Sequence, residues 1–89
     1  MPRVIFTNQL ARFLDAPAAS APGATLAEVF GNVFAAHPQL RSYILDDQGA
    51  VRQHVAVFID GVQVTDRKKL SDSVMPESEI YVFQALSGG

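Results

Sequence analysis

The apolar positions along this chain change period several times, and each change marks an element. From Arg3 to Thr7 they alternate, with Val4 and Phe6 on one face and Ile5 and Thr7 on the other, and β-branched and aromatic side chains of this kind suit a buried strand. Arg12, Phe13 and Leu14 begin a second strand. Because 16–23 is alanine-rich and carries Pro17, Ser20 and Pro22, any strand there is short or at an edge. At Thr25 the period becomes helical. Thr25 and Glu28 have the spacing of a capping box, in which each side chain takes a backbone N–H left free at the helix start. Leu26, Val29, Phe30, Val33 and Phe34 follow at i, i+3, i+4, i+7 and i+8, one stripe that must face a sheet or another helix. Pro38 disfavours helical geometry at His37 and cannot donate a backbone bond, so the predicted helix runs over 26–36.

Beyond the helix, Leu40, Tyr43, Ile44 and Leu45 form an apolar group that folds back on the core, and Asp46-Asp47-Gln48-Gly49 has the residues of a turn. The run 51–59 alternates again: Val55, Val57 and Ile59 point one way and His54, Ala56 and Phe58 the other, which makes it the central-strand candidate. Asp60-Gly61 reads as a tight hairpin turn into a short return strand containing Val62 and Val64. A polar loop over 65–79, with Leu70, Val74 and Met75 as anchors, leads to a last strand over 80–85. The order β, weak β, helix, β, short β, β predicts an α+β chain, a mixed sheet with one main helix on one face, which is a β-grasp. The domain spans 1–86, and 87–89 form a flexible tail ending in Gly88-Gly89.

Composition narrows the chemistry. With 89 residues, 48% apolar and 18% charged, the chain has the balance of one folded domain. Cysteine is absent, which removes disulfides, thiolate nucleophiles and Cys-ligated metal centres. A net charge of -2 offers no basic field for nucleic acid. No apolar run approaches the roughly 20 residues that span a bilayer, and no signal pattern opens the chain, so the expectation is a cytoplasmic protein that binds neither nucleic acid nor membrane. His37 and His54 belong to no triad or metal constellation, and no metal is expected; His37 suits a helix C-terminus and His54 a strand surface. Asp46 and Asp47 read as a solvated turn, because a calcium loop needs further spaced ligands. Arg67-Lys68-Lys69 is the one cationic run; such runs are usually solvated, Arg67 is a candidate docking residue, and Lys68 and Lys69 are the chain's only lysines. Phe58, Tyr81 and Phe83 alternate within strands, so core packing is the default, and an exposed cluster of them would mark a partner surface.

Taken in order, the opening strand, the Thr25-Leu26-Ala27-Glu28-Val29 helix start, Pro38 with Leu40-Arg41, the strand and turn from Val55 to Gly61, and the closing Gly88-Gly89 resemble the MoaD/ThiS family of ubiquitin-like sulfur carriers. The length between Arg41 and the strand resembles the MoaD and CysO branches. Two positions depart from that pattern. Pro76-Glu77-Ser78-Glu79 stands where relatives often have Gly-Asp, which implies a different turn, and Ser87 replaces a small apolar residue. The resemblance implies a protein that is not itself an enzyme and binds no cofactor. A partner enzyme of the ubiquitin-activating type would use ATP to adenylate the Gly89 carboxylate, and a sulfur donor protein or sulfide would convert it to a thiocarboxylate. A downstream sulfur-accepting enzyme of cofactor or cysteine biosynthesis would then consume that sulfur. Gly88, Ser87 and Leu86 would be recognised as the tail, and glycine allows the close backbone approach that a partner's site requires. The same tail serves three other expectations: a modifier conjugated to lysines, a small subunit of a molybdopterin-synthase-like complex, and a non-covalent module whose glycines are incidental.

Overall fold

The computed structural model describes residues 1–6 and 18–84; the expected strand residues Arg12, Phe13 and Leu14 and the tail from Leu86 to Gly89 lie outside the described residues. The elements are β1 (Arg3–Phe6), β2 (Ala18–Ser20), α1 (Leu26–Ala36), α2 (Pro38–Ile44), β3 (Val55–Ile59), β4 (Val62–Gln63) and β5 (Glu79–Gln84). They form one mixed sheet in the order β2-β1-β5-β3-β4, in which β1 and β5 run parallel and the other neighbours antiparallel.

The alternation along the strands decides the layers. Val4, Phe6, Val55, Val57, Ile80 and Val82 are buried on one face, and the α1 stripe of Leu26, Val29, Phe30, Val33 and Phe34 is buried against them. Burying side chains of this size stabilises by roughly 1.5–3 kcal/mol each relative to exposure, before conformational entropy is set against it. The helix therefore starts and stops where its capping and Pro38 predict. One detail of the capping box differs: Thr25 Oγ1 accepts the Glu28 N–H at 3.3 Å, but the Glu28 carboxylate reaches past Thr25 to the Ala24 N–H at 2.9 Å. Two further N–H groups at the helix start, those of Leu26 and Ala27, donate to the carbonyls of Asp72 and Leu70. The long loop before β5 is thus tied to the helix by donors that α1 cannot satisfy internally.

Four expectations are corrected. A second helix follows the first, because Pro38 both stops α1 and occupies the opening position of α2, where its missing N–H costs nothing; Leu40 and Ile44, one turn apart, are buried, while Tyr43 faces outward. The 51–59 run is strand only from Val55, since residues 53 and 54 turn and Val51 makes only an isolated bridge to Leu45. His54 consequently sits in that turn and not on a strand surface. The middle of the sheet belongs to β5, flanked by β1 and β3, so β3 is second from the edge. Of the three loop anchors, Leu70 and Val74 are buried and Met75 is exposed.

Two glycines make opposite demands. At Gly23 a Cβ would stand 2.7 Å from both the Val29 nitrogen and Val29 Cγ2, so the first turn of α1 packs directly on this backbone. Gly31 lies mid-helix, with no described residue within 4 Å of where a Cβ would be. We predict that Gly23→Ala lowers stability by about 1–3 kcal/mol through overpacking, whereas Gly31→Ala raises it by about 0.5–1 kcal/mol through helix propensity. Urea midpoints at unchanged m-value read both.

Candidate functional site

The outer face of the sheet is built by register. Phe58 on β3 stands directly across from Tyr81 on β5, Ala56 across from Phe83, and on the other side of β5 Tyr81 is paired with Ile5 of β1. All five side chains share the face turned away from α1. An antiparallel sheet with one wet face ordinarily alternates polar residues outward; here that pattern gives way to aromatics. The Phe58 and Phe83 rings meet edge to face at 5.7 Å and 90°, and Tyr81 stacks with Phe83 at 6.2 Å and 19°, both favourable aromatic geometries. With Ala56 and Gly61 they line an open apolar concavity of about 530 Å³, and Phe83 keeps 38% of its surface exposed. Below this patch Arg3 and Glu79 pair across β1 and β5 at 3.4 Å, and the Tyr81 hydroxyl donates to Glu79 at 3.4 Å.

One end of the concavity is held by the β3–β4 turn. Asp60 and Gly61 have φ of 51° and 85°, the consecutive left-handed pair that a two-residue hairpin turn requires. The Asp60 carboxylate then clasps the start of β5: Oδ1 accepts the Glu79 N–H at 2.9 Å and Oδ2 accepts the Ser78 hydroxyl at 2.7 Å. These two bonds, the backbone one first, lower the Asp60 pKa. Ser78 is 2% exposed and its Oγ also accepts the Met75 N–H at 2.9 Å. The different turn implied by Pro76-Glu77-Ser78-Glu79 is therefore organised by a serine and a distant aspartate in place of glycine.

The cationic run divides. Arg67 does not line the aromatic patch; its guanidinium donates to the Val55 carbonyl at 2.7 Å and to the Arg52 carbonyl, holding the loop against the entry to β3. Lys68 and Lys69 are exposed in a turn organised by Asp66. Asp66 accepts the Lys69 and Lys68 N–H groups at 3.0 and 3.3 Å, and the Ser71 hydroxyl and N–H. The Ser71 hydroxyl and then the Lys69 N–H are the main causes that lower its pKa from 3.8 to about 2. Asp72 likewise accepts the Asp66 and Thr65 N–H groups, which lower its pKa. Asp46 closes the expected turn by accepting from Gln48 and Ala50, and His37 caps the C-terminus of α1. Among the described residues no three His, Cys, Asp or Glu side chains are grouped to hold a metal ion, and no helix is long and apolar enough to cross a membrane.

Phe58, Tyr81 and Phe83 are thus brought together, and Arg67 is placed elsewhere. Ile5, Ala56 and Gly61 complete the surface unannounced. The alternation of each strand was visible, but their convergence needed the β1–β5–β3 register, which no local pattern encodes.

No protein-family model matches this sequence, and no curated protein matches it. Solved structures do. The small archaeal modifier protein SAMP1 of Haloferax volcanii superposes with a TM-score of 0.79 at 23% identity, over 99% of this chain and 98% of that one. A chain of the Amycolatopsis orientalis BexX/CysO complex gives 0.87 at 18% identity, over 100% of both chains. Mycobacterium tuberculosis CysO gives 0.85 at 17% identity, over 97% of this chain and 100% of that one. The fold is the ubiquitin-like β-grasp. Its five-stranded mixed sheet is the β-grasp anticipated from element order, with α2 added to the one main helix.

The Asp66 turn of this β-grasp carries a pH dependence of definite sign. A carboxylate whose folded pKa lies below its unfolded value contributes stability that is present above the unfolded pKa and lost as pH falls through the folded one. For Asp66 the window runs from about pH 4 down to about 2. Urea midpoints of the wild type should fall across this window. Asp66→Asn should start lower at neutral pH and fall less steeply; parallel curves for the two proteins would remove Asp66 as the cause.

Proposed function

We propose that this chain is a ubiquitin-like sulfur carrier, a protein substrate and not an enzyme, whose reacting group is the carboxylate of Gly89. The observation that carries the reading is the apolar outer face at the end of β5, on a fold shared with CysO and SAMP1. The patch joins the exposed Phe83 to the half-buried Phe58 and Tyr81, and a contiguous apolar surface of this kind is a candidate partner site. Five residues follow Gln84, and they extend at most about 17 Å. A partner seated on Phe58, Tyr81 and Phe83 therefore has the tail within reach of a site of its own.

The chemistry follows from the carboxylate. Its carbon is a poor acyl donor, because displacement would expel oxide. Attack of a Gly89 oxygen on the α-phosphate of ATP, held by an adenylating partner of the ubiquitin-activating type, releases pyrophosphate and leaves an acyl-adenylate. Hydrosulfide then adds at the Gly89 carbonyl carbon and AMP departs, giving the thiocarboxylate with loss of one proton. Gly88 and Gly89 lack a Cβ, so the backbone fits a narrow channel that a larger residue would block; Leu86 and Ser87 are the links to the folded domain. The thiocarboxylate is then the sulfur donor to a downstream biosynthetic enzyme. The BexX/CysO complex is an instance of a β-grasp chain crystallised with a second protein.

A second reading has its own support, since two proteins of this fold, from Haloferax volcanii and Methanosarcina acetivorans, are named modifiers. There the acyl-adenylate is passed to a lysine amine of another protein. The two readings part at the product, a small mass change on the free chain or a conjugate of higher mass.

The test is intact mass after incubation with ATP, sulfide and an adenylating enzyme from the same cell. The expected result is replacement of one oxygen by one sulfur at Gly89, with Gly89 deletion and Gly88→Arg folded and inert. Phe83→Asp should lower kcat/KM for adenylation by about 100-fold, mostly in KM, if the aromatic face supplies docking energy of a central apolar contact. Adenylation of the Gly89 deletion at the wild-type rate would refute the reading.

A further inference from the structure

Asp60-Gly61 is the one Asp-Gly step in the chain. Such a pair is prone to a reaction that no enzyme assists: the side-chain carboxyl acylates the backbone nitrogen that follows it, and a glycine there has no Cβ to hinder the approach. Accessibility favours the reaction here. Both residues are exposed, and no described residue lies within 4 Å of where a Gly61 Cβ would stand.

What opposes it is the hold of β5 on the carboxylate. The β3–β5 ladder pairs Ile59 with Ile80, so the next facing residues are Asp60 and Glu79. Asp60 donates its N–H to the Glu79 carbonyl at 2.9 Å, as a strand residue would, but the Glu79 N–H returns to Oδ1 of the side chain. The carboxylate thereby extends the ladder by one pair while the backbone turns into β4. Oδ2 is fixed by the hydroxyl of Ser78, which is buried and also accepts the Met75 N–H. Both oxygens are thus bound, and ring closure needs the attacked carbon to leave β5 for the Gly61 nitrogen. The same bonds, the Glu79 N–H first and the Ser78 hydroxyl second, lower the Asp60 pKa and keep the carboxyl ionised. An ionised carboxyl would have to expel oxide, where the protonated acid expels water.

We propose that Asp60 is a guarded isoaspartate site, closed for as long as β5 holds both carboxylate oxygens. Once the side chain is released, the Gly61 nitrogen attacks Asp60 Cγ, the C–OH bond breaks, water departs with the amide proton, and a succinimide ring remains. Water then adds at the Asp60 α-carbonyl carbon, and the bond from that carbon to the Gly61 nitrogen breaks. The main chain now runs through Cγ and the α-carboxylate is left as the side group; one water leaves and one returns. No oxidant or cofactor takes part. The two-residue turn acquires one extra methylene in its backbone, which ends the paired bonds with Glu79 and displaces Gly61 from the end of the aromatic concavity. The product is the chemical class of substrate that an isoaspartate-specific carboxyl methyltransferase recognises. The site is independent of the chemistry proposed for Gly89.

The test follows the full chain at neutral pH and physiological temperature, folded and, as the reference for the unguarded step, unfolded in urea. Isoaspartate is counted by enzymatic methyl transfer from S-adenosylmethionine and located by electron-transfer fragmentation of tryptic peptides; 53–67 carries Asp60 and 70–89 carries Asp72. Folded wild type should form isoaspartate at Asp60 at least about tenfold more slowly than the unfolded chain, the factor that one hydrogen bond to a charged group is worth. Ser78→Ala, which removes one of the two bonds, should speed the folded reaction about three- to tenfold. Asp72, whose carboxylate is held by the Thr65 and Asp66 N–H groups, precedes Ser73 and serves as the internal control; its rate should not change. Equal rates at Asp60 in folded and unfolded wild type, a wild-type rate in folded Ser78→Ala, or an equal rise at Asp72 would each overturn the proposal. The wild-type comparison decides even where the variant does not fold.

Discussion

The parallel pairing of β1 with β5 is the constraint on which the rest of this structure depends. It joins residues more than seventy positions apart, Arg3 to Glu79 through Phe6 to Val82, and it brings the last strand to the centre of the sheet. Side chains alternate with a period of two, so the pairing decides which residues of both strands meet α1. Val4, Phe6, Ile80 and Val82 do so together. A slip of β5 by one residue would turn Ile80 and Val82 to solvent and drive Tyr81 and Phe83 into the helix layer. The buried face therefore enforces the exposed one: the aromatic patch stays outside because the aliphatic side chains opposite it have a helix to bury against.

Carboxylates hold the long connection between β4 and β5 in the shape this pairing needs. Asp60, Asp66 and Asp72 all accept backbone N–H groups, and all three have pKa values lowered by the hydrogen bonds they accept, Asp66 by the Ser71 hydroxyl first. Each acts at a different range. Asp66 closes a turn on residues two to five ahead, Asp72 reaches back six and seven, and Asp60 spans eighteen and nineteen to clasp the start of β5. The loop carbonyls of Leu70 and Asp72 then satisfy the first N–H groups of α1. A segment that is polar by composition is consequently part of the fold's framework, joining helix start, hairpin and central strand.

This difference in range explains what was legible in the residues. Local chemistry was: the capping Thr25, the five-residue stripe of α1, the stop at Pro38 and the Asp60-Gly61 turn each act within a few positions, and each stands where the pattern placed it. Element order was sufficient for the β-grasp. What depended on distant partners was not. Val51 looks like strand by side-chain type, but the chain turns at residues 53 and 54 and strand pairing begins only at Val55. Leu40 and Ile44 hold one helical turn of α2, a period too short to stand out after a proline. Arg67 resembles its lysine neighbours in sequence and differs from them because two carbonyls at the entry to β3 lie within reach of its guanidinium. The same holds for the site: Phe58, Tyr81 and Phe83 were nameable one strand at a time, and only register made them one surface.

The position of β5 bears directly on the carrier chemistry proposed for Gly89. A tail that must be drawn into another protein's active site transmits any pull to the strand it leaves. An edge strand has one ladder to resist that pull and, once loosened, exposes backbone groups that invite pairing with other chains. Here the tail leaves the middle strand, bonded to β1 on one side and β3 on the other, with Ile80 and Val82 fully buried beneath the helix. The sheet's actual edges are the three-residue β2 and the two-residue β4, too short to template further strands. Central placement thus separates two properties that a protein substrate needs at once: an end that can be handled by a partner, and a domain that does not unravel when it is. The docking surface proposed for the aromatic cluster lies on β5 and its neighbour β3, the strands that would bear that load.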